Sequence, residues 1–259
     1  MLNFKTIIIF TVFFTNSLNL FAADLTIEHV ANAGVKISSG EKTVLVDALF
    51  PPHKRFNSLN DENFSELTMQ GADVIMATHT HSDHFGVSRV STFLKKNTKS
   101  LFIGTPQTLK KLEGKADTYQ LTSESLAAFQ SKLFSHHNIN VDALNFPHGD
   151  PEAHSKTQNY AFLIEVNGWK VLHIGDGGLN SERIEGLKLA DRSIDVALVH
   201  DRCLRQDDCA ERMKQMNVGK VVFIHMTDDR IKPVSEWIKA NLHNATILVT
   251  GHESISISR

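Results

Sequence analysis

The sequence predicts an α/β chain, two mixed β-sheets flanked by helices in a four-layer αββα sandwich. Short apolar runs of strand type open the chain, strands and helices alternate through its middle, and the second half repeats the style of the opening before alternating again. With 259 residues, 41% of them apolar, the chain can bury a sizeable core. No solenoid-type repeat, low-complexity tract or Pro- or Ser-rich linker interrupts it, so residues 24–259 read as a single domain.

Residues 1–23 read as a secretory signal peptide. Lys5 supplies the positive start, Ile7 to Phe14 the apolar centre, and Leu20-Phe21-Ala22-Ala23 the small residues a signal peptidase cuts. A membrane anchor is the rival reading, but Asn16, Ser17 and Asn19 break the apolar run. The expectation is a periplasmic or secreted protein with no membrane span left after cleavage.

Strands follow at Leu25–Val30, Gly34–Ser38 and Thr43–Val46, with a turn at Ser39-Gly40-Glu41. Phe50 to Leu67, rich in polar and turn residues, reads as a surface loop or short helix near a site mouth. Asp73–Ala77 is a buried strand, Val87–Lys96 a helix, Leu101–Gly104 a strand, and Pro106–Leu112 a helix with proline in its first turn. Glu124–Leu133 reads as a further helix. Strands are expected at Val141–Phe146, Tyr160–Val166 and Lys170–Ile174, the last two joined at Asn167-Gly168. Strands at Ile194–Val199, Val221–Ile224 and Thr246–Val249 then alternate with helices at Asp208–Met216 and Val234–Asn241.

A formal net charge of -2 leaves no broad basic field, which excludes nucleic acid or anionic lipid as a general partner. Cys203 and Cys209 are too far apart for a CxxC redox site or a zinc knuckle. In an oxidising compartment they either close a small loop, worth roughly 2–3 kcal/mol, or stand as separate thiols.

Chemistry concentrates at His79-Thr80-His81-Ser82-Asp83-His84, directly after the buried strand. In extended backbone, side chains at i and i+2 point the same way, so His79 and His81 can chelate one ion. Asp83 and His84 follow a turn and aim elsewhere, most simply at a second ion. One loop cannot complete two coordination shells. Three further ligand-type residues each end an apolar run: His148 after Phe146-Pro147, Asp176 after Leu172–Gly175, and His225 after Val221–Ile224.

The stretch Thr78–His84 resembles the HxHxDH signature of the metallo-β-lactamase superfamily, and the similarity extends over most of residues 24–259. Ala31–Val35, Thr43–Asp47 and Leu172–Asp176 also look like the family. The resemblance implies that His79, His81 and His148 bind one metal and that Asp83, His84 and His225 bind the other, with Asp176 bridging. Asp83, His84 and Asp176 are then the candidate catalytic residues. The implied cofactors are two divalent ions, zinc first and manganese or iron as alternatives. Ions about 3.5–4 Å apart can share a water and bring its pKa toward neutrality, giving hydroxide at pH 7. Within the superfamily the chain is more similar to lactonase- and phosphodiesterase-like hydrolases than to true β-lactamases.

Rival assignments sit beside this set. His154 competes with His148, which is preferred because it ends a strand, and His252 competes with His225. Asn32 stands where lactonase-like members carry histidine, and Asp47 is expected to orient a ligating histidine rather than bind metal. His200-Asp201-Arg202 closes another strand and could contact substrate or protonate a leaving group, though a plain loop role is the favoured reading. His136-His137 reads as exposed.

The function this supports is hydrolysis of a small-molecule ester, lactone or phosphoester. A β-lactamase is disfavoured because no Lys or Asn pattern follows His148 to hold a substrate carboxylate. A di-iron redox enzyme on the same scaffold lacks an attached electron-delivery domain. A non-catalytic binding module would be expected to have lost ligands.

Overall fold

The computed structural model describes residues 23–259, and the expected signal peptide lies almost wholly outside the described residues. Three strands open the chain, β1 (Leu25–Ala31), β2 (Gly34–Ser39) and β3 (Lys42–Val46), paired antiparallel. Gly40 turns β2 into β3 at a φ of 55°, a left-handed conformation that costs glycine least.

Alternation then builds the rest of the first sheet. Helix α1 (Asp61–Gln70) starts where the Asn60 side chain accepts the Asn63 amide at 2.7 Å, and Asp61 and Glu62 suit the positive end of its dipole. Strand β4 (Val74–Ala77), helix α2 (Val87–Lys96), strand β5 (Leu101–Gly104), helix α3 (Pro106–Leu112) and the short β6 (Leu121–Thr122) follow. The order is β1-β2-β3-β4-β5-β6, parallel from β3 onward.

The second sheet is built alike. Antiparallel strands β7 (Ser131–His136), β8 (Ile139–Asn145), β9 (Tyr160–Val166) and β10 (Trp169–His173) come first, with the short helix α4 (Pro151–His154) between β8 and β9. Helix α5 (Ser181–Gly186), β11 (Val196–His200), α6 (Cys209–Gln215), β12 (Lys220–Ile224), α7 (Asp228–Asn241) and β13 (Ala245–Ile247) complete it, with β10 to β13 parallel. The last strand, β14 (Ser254–Ile257), returns to the first sheet and pairs antiparallel with β1, Leu25 facing Ile257.

Three apolar layers give the four-layer sandwich its physical content. Ile27, Val35, Val44, Val74, Val141, Phe162, Val171 and Val222 from both sheets bury each other in the centre. Ile75, Phe93, Leu94 and Phe102 join the first sheet to its helices; Leu172, Val199, Met213, Phe223 and Ile238 do the same for the second. Parallel strands covered on both faces must be apolar, as β4 is throughout and β11 is up to its terminal His200.

Two expectations need correction. Glu124–Leu133 is not a helix. Residues 123–130 are irregular, and Ser131 onward forms β7, paired with β8 through a tight turn at His137 and Asn138, both of positive φ. The edge of β8 offered a ladder of backbone partners, and the segment's side chains did not demand a helical face: Phe129 and Leu133 remain exposed. Helix α7 begins at Asp228 rather than Val234. Pro233 lies inside its N-terminal half, where it removes one backbone bond without ending the helix.

Cys203 and Cys209 form a disulfide, with Cα atoms 5.4 Å apart. It ties the 3-10 helix Asp201–Arg205 to the start of α6 and is worth about 2 kcal/mol by loop entropy. Among the described residues no helix is long and apolar enough to cross a membrane.

Candidate metal centre

The parallel strands deliver their C-terminal ends to one edge of the sandwich, and the ligand-type residues gather there. His79 and His84 come off β4, Asp176 follows β10, His200 ends β11, and His225 follows β12. His148 leaves β8 and is held by an isolated bridge to Gly177, next to Asp176. His79, His84, His148, Asp176, His200 and His225 are all buried.

Two groups form. One ligand atom from each of His79, His81, His148 and Asp176 lies within 4.8 Å of the others, and the same holds for Asp83, His84 and His225. Asp176 stands between them. Its Oδ2 is 3.3 Å from His148 Nε2, while its Oδ1 is 3.2 Å from His84 Nε2 and 3.3 Å from His225 Nε2. One carboxylate thus turns an oxygen to each group.

The surrounding hydrogen bonds select tautomers. Asp47 Oδ2 accepts from the Thr78 hydroxyl at 2.6 Å and from His84 Nδ1 at 2.8 Å, while Asp47 Oδ1 accepts the Thr78 amide at 2.7 Å. With its own proton given to Asp47, the Thr78 hydroxyl accepts from His79 Nδ1 at 2.9 Å. Both rings therefore keep a proton on Nδ1 and turn Nε2 inward. Asn32 Nδ2 donates to Asp83 Oδ2 at 3.1 Å, which orients that carboxylate. His148 is wired differently, its Nδ1 accepting the Asp150 amide at 3.1 Å, so ligation through Nε2 requires that ring to change tautomer.

The electrostatics match a cation site. Burial drives His79 well below the usual histidine range, and neighbouring His84 adds to this. His81 falls to about 4 through burial and the closeness of His148 and His154. Burial opposes ionisation of Asp176, but His225, His84 and the bond from His148 hold it well below the usual carboxylate range. Asp83 is lowered as well, burial being outweighed by His225 and His84. His84 runs the other way: burial resists its charge, yet Asp176 and Asp47 raise it well above its ordinary value. His148 Nε2, Asp176 Oδ1 and His200 Nε2 are buried without a well-aligned hydrogen bond among the described residues. Buried ionised carboxylates among inward-facing imidazole lone pairs are costly unless a cation compensates them, so the residues fit divalent metal ions.

The rivals separate by position. The His154 ring lies 4.2 Å from that of His148 and 4.6 Å from that of His81, against the first group but outside it. His252 is largely exposed, its Nδ1 3.4 Å from Glu28, away from both groups. His200 does not occupy a plain loop: it is buried and its ring stacks on His225 at 4.1 Å, because β11 runs beside β12 in the sheet. Its pKa is pushed to about 4 by burial and His225.

Sequence reasoning did not single out Phe56, which meets His225 edge-on at 5.1 Å from the loop preceding α1, although it placed Phe50 to Leu67 near a site mouth. Arg202, read only together with His200 and Asp201, has its Nη2 3.7 Å from Asp176 Oδ2. A larger cleft, about 700 Å³, lies elsewhere, along Trp169, Asp195, Lys220 and Ile257, and among the described residues no cluster of ligand-type side chains lines it.

A family model described as "Beta-lactamase superfamily domain" matches residues 42–226. No curated protein matches the sequence. Among solved structures, a possible metal-dependent hydrolase from Veillonella parvula DSM 2008 is 14% identical with a TM-score of 0.66, over 91% of this chain and 100% of that one. Igni18, a metallo hydrolase from Ignicoccus hospitalis KIN4/I, is 14% identical with a TM-score of 0.63, over 91% and 99%. CmlA, a diiron β-hydroxylase from Streptomyces venezuelae, is 14% identical with a TM-score of 0.61, over 92% of this chain and 54% of that one. At these identities the likeness is one of fold.

Proposed function

We propose that this chain, which belongs to the beta-lactamase superfamily domain family through residues 42–226, is over residues 24–259 an exported dinuclear metal hydrolase acting on a small ester, lactone or phosphoester. The observation that carries the reading is the position of Asp176, with one oxygen toward His148 and the other toward His84 and His225. In this reading His79, His81 and His148 hold one ion, Asp83, His84 and His225 hold the other, and Asp176 serves both.

Two divalent ions bound there, zinc in our reading, supply Lewis acidity and a water acidified toward neutrality. The chain's own residues prepare for this. Asp47 and Thr78 fix the tautomers of His84 and His79, Asn32 steers Asp83, and burial keeps His79 and His81 unprotonated at neutral pH. Phe56 narrows the approach beside His225. No Ser/His/Asp or Cys/His arrangement is required, because the nucleophile is water.

Export is supported by Lys5 followed by the apolar Ile7–Phe14, and by the Cys203–Cys209 disulfide, which suits an oxidising compartment. Sequencing the N-terminus of protein recovered from the periplasm or medium is expected to begin at Asp24.

The decisive experiment combines metal content of the purified protein with a panel of lactones, esters, phosphodiesters, thioesters and β-lactams. Two zinc ions per chain, turnover abolished by chelation and restored by zinc, and loss of turnover in His81→Ala are expected. Two irons with a visible absorption band and no turnover on any member of the panel would overturn the hydrolase reading in favour of redox chemistry.

A further inference from the structure

Beside the metal centre lies a cavity of about 180 Å³ with an unusual charge. Arg55, Arg202, Arg205 and Arg230 line it, four of the chain's nine arginines, together with His200 and His225. The chain as a whole is slightly acidic, so this concentration is not part of a general basic field.

Several arginines elsewhere are occupied in structural roles. Arg89 bonds two backbone carbonyls and Asp61, Arg183 bonds the Pro147 and Gly178 carbonyls, Arg192 pairs with Asp142, and Arg212 with Asp208. At the cavity only Arg230 is matched in this way, its Nε 2.9 Å from Asp201. Among the described residues Arg55 and Arg205 make no ion pair. Arg202 has its buried Nη1 without an acceptor, and its Nη2 stands 3.7 Å from an Asp176 carboxylate engaged with the histidine groups.

The positions of Arg202 and Arg205 are fixed by the fold. Both sit on the 3-10 helix Asp201–Arg205, which continues directly from β11 and is cross-linked to α6 through Cys203. A guanidinium fork held in this way matches the paired oxygens of a carboxylate or phosphate and loses little entropy on binding.

We propose that the substrate carries a fixed oxyanion, a carboxylate or a phosphate, remote from its scissile bond, and that Arg202 and Arg205 hold this group while the bond lies over the metal centre. This rests on the hydrolase reading above and names its substrate class. Arg55, also lining the cavity, strengthens the field, and Arg230 neutralises Asp201, which would otherwise compete with the anion for the arginines.

Three 4-nitrophenyl esters of similar acyl length test it on the zinc-loaded protein: the valerate, the hydrogen glutarate and the 4-phosphonobutanoate. At least tenfold higher kcat/KM is expected for one of the anionic esters over the valerate, and which one is preferred identifies the oxyanion. Arg205→Gln should remove most of that preference by raising KM for the preferred anionic ester. Arg202→Gln should remove it as well, and the exposed Lys95→Gln should not. Equal turnover of charged and neutral esters, or a preference untouched by Arg205→Gln, overturns the proposal.

A binding arm separates this from failure of the hydrolase reading. If no ester is cleaved, calorimetric titration with glutarate and butylphosphonate still decides: binding weakened tenfold in Arg205→Gln supports the anion site, and absent or unaltered binding overturns it.

Discussion

His84 and His225, 141 residues apart in the chain and carried by different sheets, bring their Nε2 atoms to 3.0 Å from each other. Two imidazole nitrogens at that distance have room for one proton between them. The His84 proton on Nδ1 is already committed to Asp47. A cation bound there would relieve the contact, and Asp83 Oδ2 lies close by, 3.4 Å from His225 Nε2 and 3.7 Å from His84 Nε2.

Asp47→Asn tests how far the outer hydrogen bonds set metal affinity. Asparagine also tolerates the left-handed backbone at this position, φ 50°, so the fold should survive. The single amide oxygen cannot replace both carboxylate oxygens toward Thr78 and His84. Metal affinity is expected to fall about 10–100-fold, the range for loss of such a partner. Competition with a fluorescent zinc chelator measures it, and an unchanged affinity would remove Asp47 from this role.

Replacing either of two neighbouring histidines should have unequal effects. His148→Ala removes a side chain that faces Asp176 at 3.3 Å and should reduce retained metal toward one ion per chain. His154→Ala removes a ring outside both groups and should leave two. Metal analysis after dialysis distinguishes them; the reverse pattern would exchange their roles.

Acid should destabilise the metal-free protein over a defined window. His81 and His200 titrate in the unfolded chain near 6.5 but in the fold only at about 4, and burial likewise holds His79 well below its ordinary value. Between 6.5 and 4 the unfolded chain binds more protons than the fold, so stability falls as pH drops. Asp83 and Asp176, with depressed values, add their loss only below the ordinary carboxylate value of 3.8. His84, raised, acts oppositely: its contribution is complete below 6.5 and is lost as pH rises through its folded value. The melting temperature of EDTA-treated protein is therefore expected to fall from pH 7 to pH 4.5. A flat profile would mean that these rings are less buried than described.

Gly175→Ala should disturb the loop that presents Asp176. Gly175 has φ 56°, and a Cβ there would stand 2.5 Å from Thr78 Oγ1, the hydroxyl linking Asp47 to His79. Strain and clash together are expected to cost more than about 1 kcal/mol, lowering the melting temperature by about 2–4 °C per kcal/mol for a chain of this size. Zinc affinity should fall with it. Unaltered melting and metal binding would show that the loop yields freely.

Much of the centre could be read along the chain because ligand residues follow apolar runs. His79 to His84 after β4, Asp176 after β10 and His225 after β12 each combine a buried strand, visible as consecutive Val, Ile, Leu or Phe, with a polar residue at its end. Asp47 was legible for the same reason, following β3. Glu124–Leu133 was misread because most of it is irregular and its last residues, from Ser131, take strand structure from the neighbouring β8 as part of β7. His200 was misplaced because its burial depends on β11 lying next to β12, a neighbour relation that no local pattern contains.

The order of strands and helices, the two sheet-rich halves and the clustering of ligand-type side chains at strand ends follow from the sequence, since hydrophobic period and strand-end chemistry are local properties. Which nitrogens face inward, how Asp176 divides its oxygens, and why four arginines surround one cavity were decided by tertiary structure. These depend on distances of about 3 Å between residues far apart in the chain, and such distances exist only after the two sheets have buried their common core.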